Sequence, residues 1–281
     1  MNYDKLLSII NEILLERAKA NCLNENDLDV YYEPLNDAHI NYLADSFGIN
    51  HELLVDKRNF YFTRFVTSLF NSSYTNYMNN IERRKALSKI LDSFNFDKFM
   101  HNKTSLLERI LTDDVLNQIS NDGIKESMSQ SICDIHRFIK KHFDEMEQYS
   151  KMNATNIEDY MKIIDKMIKL NSKKTDKIHG FGIALYSDAL KETGIIDIVK
   201  PDVHILDFYA KIKGIDTEKI KTNQSLMLEL SKFFYDFSRA TNESIYKIDK
   251  KIWITCSRNP FYLHEKKDYK KMLLDAISMT L

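Results

Sequence analysis

KIHGFGIALYSDALKETGIIDIVKPDVHILDFYAKIKGI, residues 177–215, is the stretch whose reading decides the fold. Gly180, Gly182 and Gly194 are three of only 6 glycines, and Pro201 is one of 3 prolines, in a chain of 281 residues. Glycine reaches positive φ and lets a second backbone approach closely, so KIHGFG reads as a tight hairpin opening into a helix of about ten residues that Gly194 ends. An apolar connection, Ile195 to Val199, follows. Pro201 then stands at a second helix entrance, Asp202 at its N-cap or first turn, and Gly214 at its far end.

Outside this stretch the chain has too few glycines and prolines to punctuate a sandwich, a barrel or a doubly wound sheet, so an all-helical fold is expected. With 43% apolar and 29% charged residues the composition is that of an ordinary globular protein. The length allows one large or two modest domains. Leu6, Leu7, Ile10, Ile13 and Leu14 share one face of an opening helix. The aromatics between Phe60 and Tyr77 read as helix-packing core, and further helices are expected over 81–93, 103–120 and 124–150. Thr155 and Glu158 have capping-box spacing, which sets a helix start near 156 that Ile157, Met161, Ile164 and Ile168 continue. The expected organisation is an N-terminal helical region over 1–120, a helical domain with the hairpin and Asp202 over 121–215, and C-terminal helices over 216–281 that pack back on the N-terminal region.

Cys22, Cys133 and Cys256 are odd in number and far apart, which favours reduced thiols in a cytoplasm over a disulfide framework or a metal clasp. The first residues lack the pattern of a signal peptide, and no uncharged apolar run reaches the roughly 18 residues of a membrane span. Neither a membrane partner nor an oligomeric state other than monomer is expected. The net charge of -1 conceals an asymmetry: residues 1–150 carry 17 basic against 23 acidic side chains, and residues 151–281 carry 23 against 18. Lys162, Lys166, Lys169, Lys173, Lys174 and Lys177 lead directly into the hairpin, beside which a polyanion would find cations. Lys247, Lys250, Lys251, Arg258, Lys266, Lys267, Lys270 and Lys271, around the apolar IWIT and FYL runs, are candidates to extend such a surface.

A hairpin at a helix N-terminus directs backbone N–H groups and a positive dipole end at one point, a combination that receives a phosphate without reading base sequence. The order helix, HGFG hairpin, helix, then KPDVH, with Asp202 lying 20 residues beyond Gly182, resembles the helix-hairpin-helix DNA glycosylase superfamily. The resemblance covers roughly residues 171–214. It implies a two-lobed all-α enzyme with its active site in the cleft between lobes, acting on double-stranded DNA as a cytoplasmic, nucleoid-associated protein of a bacterium. Such an enzyme extrudes a nucleotide, because the glycosidic bond is inaccessible within the stack, and cuts the bond. Asp202 would be the catalytic carboxylate, stabilising an oxocarbenium-like state or orienting water. An aspartate after proline is also an ordinary helix cap, and the two roles are compatible.

The same resemblance implies DNA contacts from Lys177, His179, Gly180, Phe181, Gly182 and His204. A monovalent cation at the carbonyls of Ile178 and Phe181 is also implied, with no other cofactor required. Members that nick the strand carry a lysine two residues beyond the second hairpin glycine; here that position is Ala184, so base release without lyase activity is expected. Lys177 and Lys200 are the nearest lysines that could substitute. Cys256 is the only cysteine in the last hundred residues, so the iron-sulfur cluster of one branch is not expected. His179, His204 and His264 have no metal-ligand spacing. Tyr186 and Trp253, with Phe208 and Tyr209, are candidates to stack on an extruded base, though each also reads as core. The aromatic inventory gives a slight preference for alkylated or oxidised purines; a hypermodified base of phage DNA, as a defence function, is an alternative. Two other classes stay open: a non-catalytic hairpin protein that binds DNA, and a helical interaction scaffold.

Overall fold

The computed structural model describes residues 1–23, 25–29, 31–35, 37–71, 75–152, 154, 156–172, 175–222, 224–257 and 267–280. Among the described residues the regular structure is entirely helical. The helices are α1 (Tyr3–Ala20), α2 (Glu25–Asp29), α3 (Asp37–Phe47), α4 (Lys57–Phe70), α5 (Thr75–Met78), α6 (Ile81–Ile90), α7 (Lys103–Thr112), α8 (Asp122–Ser150), α9 (Ile157–Leu170), α10 (Ile183–Glu192), α11 (Val203–Lys213), α12 (Thr217–Thr222), α13 (Gln224–Thr241), α14 (Ile245–Cys256) and α15 (Tyr269–Thr280). No helix among the described residues is long and apolar enough to cross a membrane. The residue types at the helix entrances explain the starts. Asn2, Asp56, Asn80, Asn102, Asn121, Asp202 and Ser244 each accept a backbone N–H of the following first turn, satisfying donors that a helix cannot satisfy itself.

The chain divides into two compact units. Unit one comprises Met1–Pro34, Ala154–Lys162 and Asp197–Leu281; unit two comprises Leu35–Asn153 and Ile163–Ile196. The boundaries therefore fall near 34, 154, 163 and 197 and not at 120 and 215. The hairpin belongs to unit two and Asp202 to unit one.

In unit one, α1 packs on α13, α14 and α15, and α11 packs on α12, α14 and α15. The C-terminal helices thus cover the first helix. Leu6, Ile10 and Leu14 of α1, Phe208 of α11, Phe234 and Phe237 of α13, Ile252 of α14 and Leu273 of α15 are all buried. Arg17 lies on the buried face of α1, where its guanidinium donates to the carbonyls of Ile254 and Thr255 at the end of α14 and sits over the Tyr269 ring. A charged group this deep is tolerated because it satisfies carbonyls that the end of α14 leaves open.

Unit two is built on aromatics. Phe62 contacts Phe94, Phe96 and Phe99, and Phe47 meets Phe94 edge to face. Phe65 stacks on Phe181 and meets Tyr186 edge-on, so the hairpin is anchored through Phe181 to the centre of α4. The Phe60–Tyr77 aromatics that lie on α4 are core as expected. Tyr74 lies outside the described residues.

The helix expected over 81–93 ends at Ile90. Asp92, Ser93 and Phe94 then take positive φ, a left-handed turn that swings Phe94 into the core, where it is fully buried. The helix expected over 103–120 ends at Thr112 because the Asp113 side chain accepts the N–H groups of Val115 and Leu116 and starts a short 3-10 turn instead. Thr155, the expected cap of α9, lies outside the described residues; the Asn156 side chain accepts the Asp159 N–H at 2.9 Å. Phe65 is 0% exposed between α4, α8 and the hairpin. Phe65→Ala is expected to cost about 3–5 kcal/mol in urea unfolding, the range for emptying an aromatic site in a core.

Candidate phosphate-binding hairpin and carboxylate site

The hairpin of unit two is held from within by side chains that act as backbone. Ile178 N–H donates to Asn171 Oδ1 at 2.8 Å, and Asn171 Nδ2 donates to the Phe181 carbonyl at 3.3 Å. His179 N–H donates to Asp134 Oδ2 of α8 at 3.1 Å, and Phe181 N–H donates to the Ile178 carbonyl at 3.2 Å. Upstream, Asp176 is clamped to α8 by Lys141 at 2.5 Å and lies 3.3 Å from His142 Nε2. The Lys141 ammonium holds the Asp176 carboxyl below the usual carboxylate range. Gly180 makes the turn at φ +75°. Gly182 caps α10 with ordinary extended dihedrals, φ -73° and ψ 173°, and provides no side-chain cap.

With the inward donors used, the N–H groups of Gly180, Gly182, Ile183, Ala184 and Leu185 have no acceptor among the described residues. A Cβ built on Gly182 would meet nothing of the chain within 4 Å. Neither backbone conformation nor internal packing requires glycine there, and the space it leaves open lies in front of a helix N-terminus. Beside the hairpin runs a groove of about 720 Å³ whose lining includes Lys103, Ser127, Gln130, Lys177, His179 and Gly180. Lys177 and His179 are exposed, and the His179 ring is 2.9 Å from Ser127 Oγ. Lys103 is paired with Glu126 at 2.6 Å. Phe181 is buried, so of the expected DNA contacts it offers its backbone and not its ring. In the lysine run before the hairpin, Lys169 is paired with Asp165 and Lys162 lies 3.8 Å from Asp159; Lys173 and Lys174 lie outside the described residues.

At the turn where a monovalent cation is expected, one of the two lone pairs on each of the Ile178 and Phe181 carbonyls is in use. Each carbonyl already accepts a hydrogen bond within the turn, the second from the buried amide of Asn171.

The carboxylate site lies in unit one. Asp202 Oδ1 accepts the N–H groups of His204 at 2.9 Å and Ile205 at 3.2 Å, and Oδ2 lies 3.9 Å from Lys200 Nζ. The Asp202 side chain keeps 16% of its surface exposed, so it is neither sealed in the core nor free to swing. The segment before it is fixed by two acids: the buried Asp249 accepts the Lys200 N–H through Oδ2 at 2.7 Å, and the exposed Asp197 accepts the N–H groups of Ile245 and Tyr246. The His204 ring is half-buried, and its Nδ1 is buried without a hydrogen-bond partner among the described residues. Burial lowers the pKa of its ring, against the opposing pull of Asp202. Asp207, one turn on, is held by Lys270 at 2.5 Å and Thr217 at 2.9 Å. Burial pushes the nearby Cys256 thiol up to about 12, which keeps it protonated and unreactive.

Three of the four aromatic candidates for a base pocket are core. Tyr186 is 1% exposed, with its ring against Phe65 and Phe138, and Phe208 and Tyr209 are fully buried. Trp253 packs on the cluster of Leu14, Ala18, Leu28, Tyr32 and Ile254, with Lys250 Nζ over its ring. The buried rings of Tyr186, Phe208 and Tyr209 have no free face for a base, whereas Trp253 is half-buried. Of the C-terminal cations, Lys251 is held by Glu243 and Lys270 by Asp207 within unit one, Lys247 lies 3.9 Å from Glu243, and the exposed Lys267 and Lys271 pair at the surface with Glu16 and Asp275. Arg258, His264, Lys266 and the FYL run lie outside the described residues. Among the described residues no three histidine, cysteine, aspartate or glutamate side chains gather as a metal site. Asn171, Asp134 and Asp249 carry much of the geometry yet stand in no motif that sequence reading would single out. No family model, curated protein or solved structure matches this chain.

The lowered pKa of His204 and the similarly lowered, burial-dominated pKa of His136 fix the sign of a pH effect. The unfolded chain takes up protons first, so the stability contributed by the two neutral rings is complete above the free-histidine value of about 6.5 and is lost as pH falls below it. Urea midpoints measured from pH 7.5 to 5 are expected to fall. The fall should be smaller in His204→Gln, and a profile identical to that of the parent would refute burial of the neutral ring.

Proposed function

We propose that this chain is a DNA glycosylase without lyase activity, a two-lobed helix-hairpin-helix enzyme that releases a damaged or modified base from duplex DNA and leaves an abasic site. The observation that carries the reading is Gly182: glycine stands before α10 where neither dihedrals nor internal contacts need it, beside five N–H groups without an acceptor among the described residues. A backbone phosphate fits that vacancy, since it needs close approach, several donors and a positive dipole end. The motif that follows supplies Asp202, a partly exposed carboxylate held by two N–H groups and flanked by Lys200.

The chemistry follows from these groups. Departure of the base leaves positive charge on C1′ and the ring oxygen, and a fixed carboxylate lowers the energy of that charge. Water adds its oxygen to C1′, and its proton balances the departing base. Ala184 at the lysine position favours hydrolysis over a Schiff base. With Tyr186, Phe208 and Tyr209 buried in packing, the aromatic inventory no longer favours alkylated or oxidised purines over other bases. The second reading, a hairpin protein that binds DNA without chemistry, is favoured by one observation: Asp202 already serves as the cap of α11.

Duplexes bearing alkylated, oxidised, deaminated and hypermodified bases are expected to reveal at least one substrate that is cut only after alkali treatment. Asparagine caps helices about as well as aspartate. Asp202→Asn is therefore expected to keep stability within a few tenths of a kcal/mol and keep duplex affinity, while lowering base release by about 10²- to 10³-fold. Release at the parental rate in Asp202→Asn would remove the carboxylate from the mechanism. Borohydride is expected to trap no covalent complex; a trapped complex that disappears in Lys200→Met would instead assign a lyase to Lys200.

A further inference from the structure

The hairpin presents its amides only if the turn is rigid before DNA arrives, and two of the contacts that close it come from one side chain. Asn171 is 7% exposed at the end of α9. Its Oδ1 accepts from Ile178 N–H, and its Nδ2 donates to the Phe181 carbonyl, so a single carboxamide spans the turn the way a paired strand would. Ordering a flexible turn on binding costs conformational entropy for each residue fixed. A turn closed beforehand avoids that cost. We infer that Asn171 is the positioning residue of the phosphate-binding hairpin, and that its amide does the work at the Phe181 carbonyl that a bound monovalent cation would otherwise do. The inference rests on the hairpin being the contact to the DNA backbone.

Asp134 supports the arrangement without duplicating it. It takes the His179 N–H from the α8 side, while its other oxygen accepts from Gln130 and Arg137. Removal of Asn171 leaves that tether in place, so the expected defect is a loosened turn on an intact unit.

The test uses the full-length chain with Asn171→Ala and Asn171→Asp. Amide hydrogen exchange is measured over residues 171–192, and affinity for an undamaged fluorescent duplex is measured by anisotropy across a salt series. In Asn171→Ala the Ile178 and Phe181 amides are expected to exchange at least tenfold faster, while α10 keeps its protection. Duplex affinity should fall about tenfold, with the salt slope smaller by roughly the one phosphate lost. Asn171→Asp keeps the acceptor for Ile178 N–H and is expected to retain that protection, with affinity between parent and alanine. Parental affinity should be equal in potassium, sodium and tetramethylammonium chloride at one ionic strength.

Unchanged exchange at Ile178 in the alanine variant, or loss of protection throughout unit two, would overturn the positioning role. So would parental binding that requires potassium. If the parent fails to bind the duplex, it is the glycosylase reading that falls, and the exchange measurement still decides what Asn171 does.

Discussion

A backbone N–H removed from water must find an acceptor, and in this chain the acceptor at the places that matter is an asparagine or aspartate side chain. Helix caps are the simplest case. Asn59 shows the same device between loops: buried on α4, it donates to the Leu53 carbonyl and accepts the Phe96 N–H. Asn171 and Asp134 close the hairpin, Asp249 and Asp197 fix the approach to α11, and Asp202 starts it. Each substitutes a short polar side chain for a neighbouring strand, which an all-helical fold does not supply. The scarcity of glycine and proline follows: turns are stabilised by side-chain acceptors and not by special dihedrals, apart from the few positions with positive φ.

That device separates positions where glycine is needed by the fold from the one where it is not. Gly194 is needed by the fold. It sits at φ +67°, and a Cβ there would come within 2.9 Å of Leu35. Gly214 ends α11 at φ +65°. Gly182 alone combines ordinary dihedrals with empty space, among the glycines so described. A residue unexplained by the chain's own packing is where the proposed contact to a backbone phosphate rests, since the neighbouring N–H groups are the donors that contact would use. Lysines alone would not support the same argument. Several that looked like a surface in the sequence, Lys251 and Lys270 among them, are matched to acids within unit one.

The helical class was legible because composition and periodicity report burial directly, and so were α10, α11 and their caps, because Gly194, Asp202 and Gly214 act through local geometry. Boundaries that depend on tertiary burial were not. Nothing in SKILDSF announces that Phe94 will be fully buried by a left-handed turn, and Asp113 stops a helix whose apolar pattern continues past it. The units were illegible for the same reason. Each is assembled from separated segments, with α9 passing from one to the other at Lys162, so no linker composition marks the border. Aromatic side chains were ambiguous in principle, because a ring that stacks on a base and a ring that fills a core have the same sequence signature. Burial at Tyr186 and Phe208 resolved them.

The double duty proposed for Asp202, cap and catalyst, bears on how such a site would persist. A carboxylate that only stabilised a transition state would be a cost to the folded chain, since its desolvation has to be offset by something present before substrate arrives. Here the two N–H groups of α11 supply that offset through Oδ1, and Oδ2 remains with 3.9 Å between it and Lys200. The cap fixes where the carboxylate points, and Asp249 and Pro201 fix the backbone that carries it, so orientation is built into the fold before any ligand binds. Asparagine would satisfy the helix equally well but could not balance a positive sugar carbon. The distinction between a cap and the proposed catalyst at this position therefore reduces to a single formal charge, shared by two oxygens of which the helix uses only Oδ1.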